Sequence, residues 1–272
     1  MTDFLGIKST LKLPEKAELI YEFRLMSAHD DALVRCMNAT LDGVFTHPDG
    51  RAEELVKIVL LPSQVALIAH LTAQAPGQLS IDIGFGMGTS ATAIMAAKRA
   101  TGTTTFEHIV FDPWGLNEGR GGVVEDYINN EFGANYRRVR KLSQIGMAQL
   151  YDERGPECAG LIFIDGGHTL ENVMIDFHLS DMVCAVGGYI IFDDALFPAI
   201  ETVVSYISKN RKNYDLSYLP KSNTAVLKKI SSEAPNWDSY NPFLVSDRTN
   251  WTKRIIEDEG PHESVYFKER LA

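Results

Sequence analysis

Residues 81–90 read Ile81-Asp82-Ile83-Gly84-Phe85-Gly86-Met87-Gly88-Thr89-Ser90, an apolar run that carries one acid, then glycines at alternate positions, then a helical pattern from Ala91 to Arg99. Glycine permits a tight turn and lets the backbone approach a ligand where a Cβ would collide. The helix start that follows offers unpaired N–H groups and the positive end of a dipole, so a nucleotide-like ligand is implied. A dinucleotide fingerprint, GxGxxG, would put its third glycine at Thr89; here it falls one residue early, at Gly88. That spacing disfavours a pyrophosphate, and with it a dinucleotide-dependent oxidoreductase.

Downstream of this loop the same kind of apolar run recurs. His108-Ile109-Val110-Phe111-Asp112, Leu161-Ile162-Phe163-Ile164-Asp165 and Tyr189-Ile190-Ile191-Phe192-Asp193 each finish on an aspartate, as Leu79-Ser80-Ile81-Asp82-Ile83 nearly does. Runs this rich in β-branched and aromatic residues suit strands buried on both faces, which predicts a parallel sheet covered by helices. Open parallel sheets bind ligands outside the carboxyl ends of their strands, so the aspartates mark the site. A weaker strand is expected near Tyr136 to Lys141. Residues 214–219 and 224–227 flank the turn formers Pro220-Lys221-Ser222-Asn223 and read as an antiparallel hairpin.

Upstream, residues 1–75 carry helical patterns at Ala17–Phe23, at Glu53–Val59 and from Pro62-Ser63-Gln64 to Leu71, and read as a helical N-terminal cap. Residues 76–230 form the α/β core, and residues 231–272 a polar C-terminal extension with interspersed Trp237, Tyr240, Phe243 and Trp251, available for oligomer contacts. One structural domain overall is expected. The 272 residues, 45% hydrophobic and 23% charged, suffice for one sizeable core. A formal net charge of -10 argues against tracking a phosphate backbone and favours a small-molecule partner. Cys36, Cys158 and Cys184 show no CxxC spacing and read as reduced thiols. The N-terminus lacks a signal-peptide pattern and no stretch approaches a membrane span, so the expected compartment is the cytoplasm.

With Asp82, Gly84, Gly86 and Gly88, the chain resembles the class I S-adenosylmethionine-dependent methyltransferases, whose first motif is an acid followed by GxGxG; the resemblance covers roughly residues 60–230. It implies a Rossmann-like, seven-stranded, mostly parallel sheet with a terminal antiparallel strand. It also implies that Asp82 and the glycines face the methionine portion of the cofactor, and that Asp112 accepts hydrogen bonds from the ribose hydroxyls. A carboxylate offers two acceptor oxygens to a vicinal diol; the competing reading of Asp112 is a turn cap before Pro113. Leu142-Ser143-Gln144 resembles the Ser-Gln pair with which catechol-type O-methyltransferases contact adenine. Trp114 is a candidate cover for the adenosine, and Gly115 to Gly122, with Arg120, a candidate lid.

Asp165-Gly166-Gly167-His168 and Asp193-Asp194 should meet in neighbouring strands, bringing three carboxylates to one crevice. Uncompensated anions repel, and a hard divalent cation with oxygen ligands resolves the repulsion; magnesium is expected, with calcium and manganese left open. This region resembles metal-dependent small-molecule O-methyltransferases of the macrolide deoxysugar and cephalosporin-pathway type, and more distantly the catechol type. By that resemblance Asp165, Asp193 and Asp194 are metal ligands, Asp165 also borders the cofactor, and His168 is the general base. The catechol type typically has lysine and asparagine where His168 and Asp194 stand. The implied acceptor is therefore a hydroxyl of a sugar or other polyhydroxylated natural product, with a catechol or phenol as the alternative. Two readings stay open: one of the adjacent aspartates lies behind the other, and His168 caps the helix that begins near Thr169.

Overall fold

A computed structural model describes residues 9–55, 60–113, 121–219, 222–234 and 238–243. In chain order its helices are α1 (Lys16–Ser27), α2 (Asp31–Asp42), α3 (Pro62–Gln74), α4 (Thr89–Ala100), α5 (Gly122–Phe132), α6 (Ser143–Arg154), α7 (Leu170–Val183) and α8 (Pro198–Asn210). The strands are β1 (Val44–Thr46), β2 (Ala52–Glu54), β3 (Leu79–Ile83), β4 (Glu107–Phe111), β5 (Tyr136–Val139), β6 (Ala159–Ile164), β7 (Cys184–Phe192), β8 (Tyr214–Tyr218) and β9 (Ala225–Lys229). Seven of them form one sheet in the order β5-β4-β3-β6-β7-β9-β8, parallel as far as β7, with β9 antiparallel to both its neighbours β7 and β8. This is the Rossmann-like α/β sheet with its reversed terminal strand.

Alternation along each strand divides the core in two. Phe163, Tyr189 and Ile191 pack towards the face covered by α1 to α5, while Ile83, Ile164 and Phe192 pack towards α6, α7 and α8. The strands end together, since Ile83 is level with Phe111 and Ile164, and Ile164 with Phe192. The ladder then runs one residue further: Gly84 N–H donates to Phe111 C=O, Asp165 N–H to Ile83 C=O, Asp193 N–H to Ile164 C=O and Asp112 N–H to Val139 C=O. Three of the aspartates singled out in the sequence therefore leave the sheet at one level. The strand order reverses at β3, with β4 on one side and β6 on the other, so the glycine loop that follows it opens into the crevice of a topological switch point.

The N-terminal segment departs from the all-helical expectation. Ala52–Glu54 is a strand, paired antiparallel with Val44–Thr46. The cause is the intervening His47-Pro48-Asp49-Gly50, which closes a tight turn with His47 C=O accepting from Gly50 N–H and Gly50 at φ +90°. Residues 56–59 of the expected helix lie outside the described residues, as do Trp114 and most of the glycine-rich run after it. Much of the C-terminal extension lies there too; of its described part, Asn241 exchanges hydrogen bonds with Asn210 at the end of α8. Among the described residues no helix is long and apolar enough to cross a membrane.

The hairpin acts on the core through Glu53, whose carboxylate accepts from Gly121 N–H and from Val123 N–H (3.0 Å), capping the start of α5. Glu53→Ala is expected to lower the unfolding free energy by about 1 kcal/mol by uncapping α5. Glu54→Ala, at the exposed neighbouring position, should change it by less than about 0.5 kcal/mol. Urea unfolding of both variants checks the difference.

Candidate active site

The glycines of the loop after β3 have different duties. A Cβ on Gly84, at φ +97°, would stand 2.1 Å from the carbonyl oxygen of Asp165, so this glycine lets β3 and β6 close against each other. A Cβ on Gly88, at φ +74°, would meet the Phe85 ring at 2.8 Å. Gly86, at φ +49°, faces open space with no atom within 4 Å of that position, as a loop that cradles a ligand requires. Gly88 is also the N-cap of α4, which places that helix's unpaired N–H groups at the same opening.

Asp82 is wholly buried. Its Oδ2 accepts from Ser90 Oγ (2.6 Å) in the first turn of α4 and lies 3.6 Å from His108 Nε2, while Oδ1 has no hydrogen-bond partner among the described residues. It thus ties the strand before the loop to the helix after it. Asp112 accepts from the loop's own Phe85 N–H through Oδ2 (2.8 Å) and lies 3.4 Å from the Arg138 guanidinium. Its carboxylate braces the cradle from the neighbouring strand as well as standing at its rim.

Ser143 and Gln144 open α6. Ser143 Oγ donates to Asp176 Oδ1 (2.6 Å) on α7, and Gln144 Nε2 donates to Asn172 Oδ1 (3.0 Å), which leaves Gln144 Oε1 buried without a partner among the described residues. Leu142 and Ile145 beside it are half exposed, an apolar border for a flat ring. Burial raises the Asp176 carboxyl to about 6, against the opposing hydrogen bond from Ser143.

Across the crevice, Asp165, His168 and Asp194 each present a ligand atom, all within 4.8 Å of one another. His168 Nε2 lies 3.3 Å from Asp194 Oδ2, and its ring packs against Phe197 with centroids 4.9 Å apart and planes tilted by 48°. Thr169 takes the N-cap of α7, its Oγ1 accepting from Asn172 N–H (3.4 Å), so His168 is released from capping. Asp193 borders the same cluster, and its Oδ1 accepts from Gln64 Nε2 at 2.6 Å. Burial, followed by repulsion from Asp193 and Asp194, pushes the Asp165 carboxyl well above the usual carboxylate range, and burial holds the His168 imidazole below its ordinary value. Acidic oxygens brought this close with no fixed cation among them are a donor set for a hard divalent ion, and the imidazole widens the choice to manganese. Gln64, Asn223 and Asp176 escaped the sequence reading as site residues. Gln64 stood in a helix-start signal, Asn223 in a turn signal and Asp176 in a helix interior, and none of these contexts marks chemistry.

Residues 81–195 match a family model described as a methyltransferase domain. Among solved structures, the fold is shared with the O-methyltransferase NovP, at 14% identity and TM-score 0.51 over 78% of this chain and 100% of that one. It is shared with the methyltransferase PaMTH1 of Podospora anserina, solved with SAH bound, at 14% identity and TM-score 0.53 over 83% and 100%. CalS11, a TDP-rhamnose 3'-O-methyltransferase in calicheamicin biosynthesis, gives 12% identity and TM-score 0.52 over 81% and 96%. No curated protein sequence matches the chain. Residues 81–195 are thus similar to a methyltransferase domain, and the glycine loop they contain suits S-adenosylmethionine as the cofactor. The open face of Gly86 leaves room for that cofactor at the loop.

Two outcomes follow from this geometry. Gly84→Ala should cost about 3 kcal/mol or more of folding stability, because a backbone carbonyl has to move. Gly86→Ala should stay folded, losing on the order of 1 kcal/mol, while its affinity for S-adenosylhomocysteine drops at least about tenfold by calorimetry. Asp176 provides a pH test. Its folded pKa lies above the unfolded one, so its contribution to stability is greatest below about pH 4 and is lost as pH rises through about 6. Asp176→Asn, which keeps an acceptor for Ser143, should therefore gain on the order of 2 kcal/mol over the native protein at pH 7.5 and nothing at pH 4, as read from urea midpoints.

Proposed function

We propose that the protein is a divalent-metal-dependent O-methyltransferase acting on a hydroxyl of a small molecule, a sugar or other polyhydroxylated natural product. The observation that carries this reading is the Asp165, His168 and Asp194 cluster, set at the strand ends beside the glycine cradle. NovP, an O-methyltransferase, and CalS11, a TDP-rhamnose 3'-O-methyltransferase, support the choice of oxygen and of substrate class. Gly84, Gly86, Gly88 and Asp112 would hold the methionine and ribose portions of the cofactor, and Ser143 and Gln144 the adenine side. Asp165 and the Asp193-Asp194 pair would hold magnesium or a similar ion.

When bound, S-adenosylmethionine supplies an electrophilic methyl group, and the cation polarises and orients the acceptor hydroxyl. The chain's own part is to place that hydroxyl and take its proton. His168, kept neutral by its partial burial, accepts the proton as the hydroxyl oxygen becomes the nucleophile. Phe197 packs against the imidazole at a tilt and limits its rotation. Asp165 separates the cradle from the cluster: its backbone carbonyl packs on Gly84 while its carboxyl faces Asp194 and His168, so the methyl donor and the acceptor are held across one residue.

Thermal denaturation of the full chain provides the test. S-adenosylhomocysteine at ~100 times its dissociation constant should add ~2.7 kcal/mol. Magnesium or manganese should protect further, and EDTA or Asp165→Ala should remove only that second increment. With hydroxylated acceptors, His168→Ala should reduce kcat by about 10²- to 10⁴-fold while leaving S-adenosylhomocysteine affinity in place. Protection by NAD in place of the homocysteine product would overturn the reading.

A further inference from the structure

Phe85, between the first two glycines of the loop, is held by its N–H, its C=O and its ring. The N–H donates to Asp112 Oδ2 (2.8 Å), and the C=O accepts from Gly88 N–H (2.7 Å), which closes the turn around Gly86. The ring fills the space that a Cβ on Gly88 would need. Over that ring lies the guanidinium of Arg138, its carbon 4.2 Å from the centroid. Whatever fixes Phe85 therefore fixes the position of Gly86, the glycine with the open face.

The register of the sheet brings Arg138 to this place. On β5 it is level with Val110 of β4, which is level with Asp82 of β3, and Val110 packs towards the face covered by α1 to α5. The Arg138 side chain is buried there. Its Nη2 lies 3.4 Å from Asp112 Oδ2, and its Nη1 donates to Glu125 Oε2 (2.9 Å) on α5. Two carboxylates at the edge of the guanidinium and a ring against its face use a planar geometry that lysine lacks. Stability alone is a weak reason for such an arrangement, because desolvating a buried ion pair offsets much of its attraction. What Arg138 grips on the β4 side, the Asp112 carboxylate and the Phe85 ring, are the two moorings of the glycine loop.

We propose that Arg138 is a positioning residue for the cofactor: by gripping the Asp112 carboxylate and the Phe85 ring together, it sets the glycine cradle and the rim against which S-adenosylmethionine is bound. The inference rests on the cofactor reading above and adds to it a residue that acts through Asp112 and the loop. Once the Asp112 carboxylate is gone, the identity of residue 138 should matter much less to binding.

Calorimetric titration of the full chain with S-adenosylhomocysteine, run beside urea unfolding, tests it on the native protein, Arg138→Lys, Asp112→Asn and the double variant. Arg138→Lys keeps the positive charge between the two carboxylates and loses the fork and the planar face, so it should fold and bind about tenfold more weakly. Asp112→Asn should weaken binding about thirtyfold, and adding Arg138→Lys to it should cost no more than about a further twofold. Tyr214→Phe removes a hydrogen bond to Asp181 (2.6 Å) at the opposite edge of the sheet; it should lower the urea midpoint and leave affinity within about twofold of native. Native affinity in Arg138→Lys, or losses that multiply in the double variant, would overturn the role of Arg138 and leave the cofactor reading intact. A tenfold loss in Tyr214→Phe would show that destabilisation alone weakens binding, and would overturn it as well. Absence of binding by the native protein would sink both this inference and the cofactor reading.

Discussion

The carbonyl oxygen of Asp165 occupies the place where a side chain on residue 84 would have to go. That contact joins the strand that leads into the cofactor loop to the strand that leads into the acidic cluster, and the ladder bond from Asp165 N–H to Ile83 C=O lies beside it. The remaining geometry follows from this close approach. With β3 and β6 clamped level, Asp193 comes out level with Asp165 on the adjoining strand, and Asp112 comes out on the other side of the loop. A glycine loop and an acidic cluster, two regions of different chemistry, are thereby built from one sheet edge without long side chains having to bridge them.

Much of this was legible in the sequence because the information was local. Apolar runs ending on aspartates gave the strands, alternate glycines gave the loop, and the reversed hairpin at residues 214–229 gave the antiparallel edge. The helical pattern at Glu53–Val59 fails in its first residues because the tight turn at Pro48-Asp49-Gly50 commits Ala52–Glu54 to pairing backwards with β1. Periodicity reports what is buried, whereas a tight turn dictates where the chain can go next.

The candidate site was legible by residue type and much less by direction. That five aspartates cluster at strand ends follows from the pattern; which oxygen faces which neighbour does not, since it depends on partners far away in the chain. Gln64 approaches Asp193 from an earlier helix and Asn223 approaches Asp194 from a later turn, and each belongs to a residue class whose ordinary uses, helix starting and turning, explain it adequately in isolation. Likewise Ser143 resembles a ligand contact in sequence, while in the fold its hydroxyl is spent on Asp176 and the unpaired acceptor belongs to Gln144.

The capping of α5 by Glu53 extends the same dependence to the N-terminal hairpin. An enzyme engineer tempted to graft a different front end onto this sheet, to change what it accepts, would be removing more than a recognition surface. The grafted piece would have to bring its own carboxylate for the start of α5 and its own amide for the turn after β7. Front end and catalytic edge are thus a single inheritable unit, and chimeras cut between them are expected to fail for want of two hydrogen-bonding groups rather than for want of hydrophobic fit.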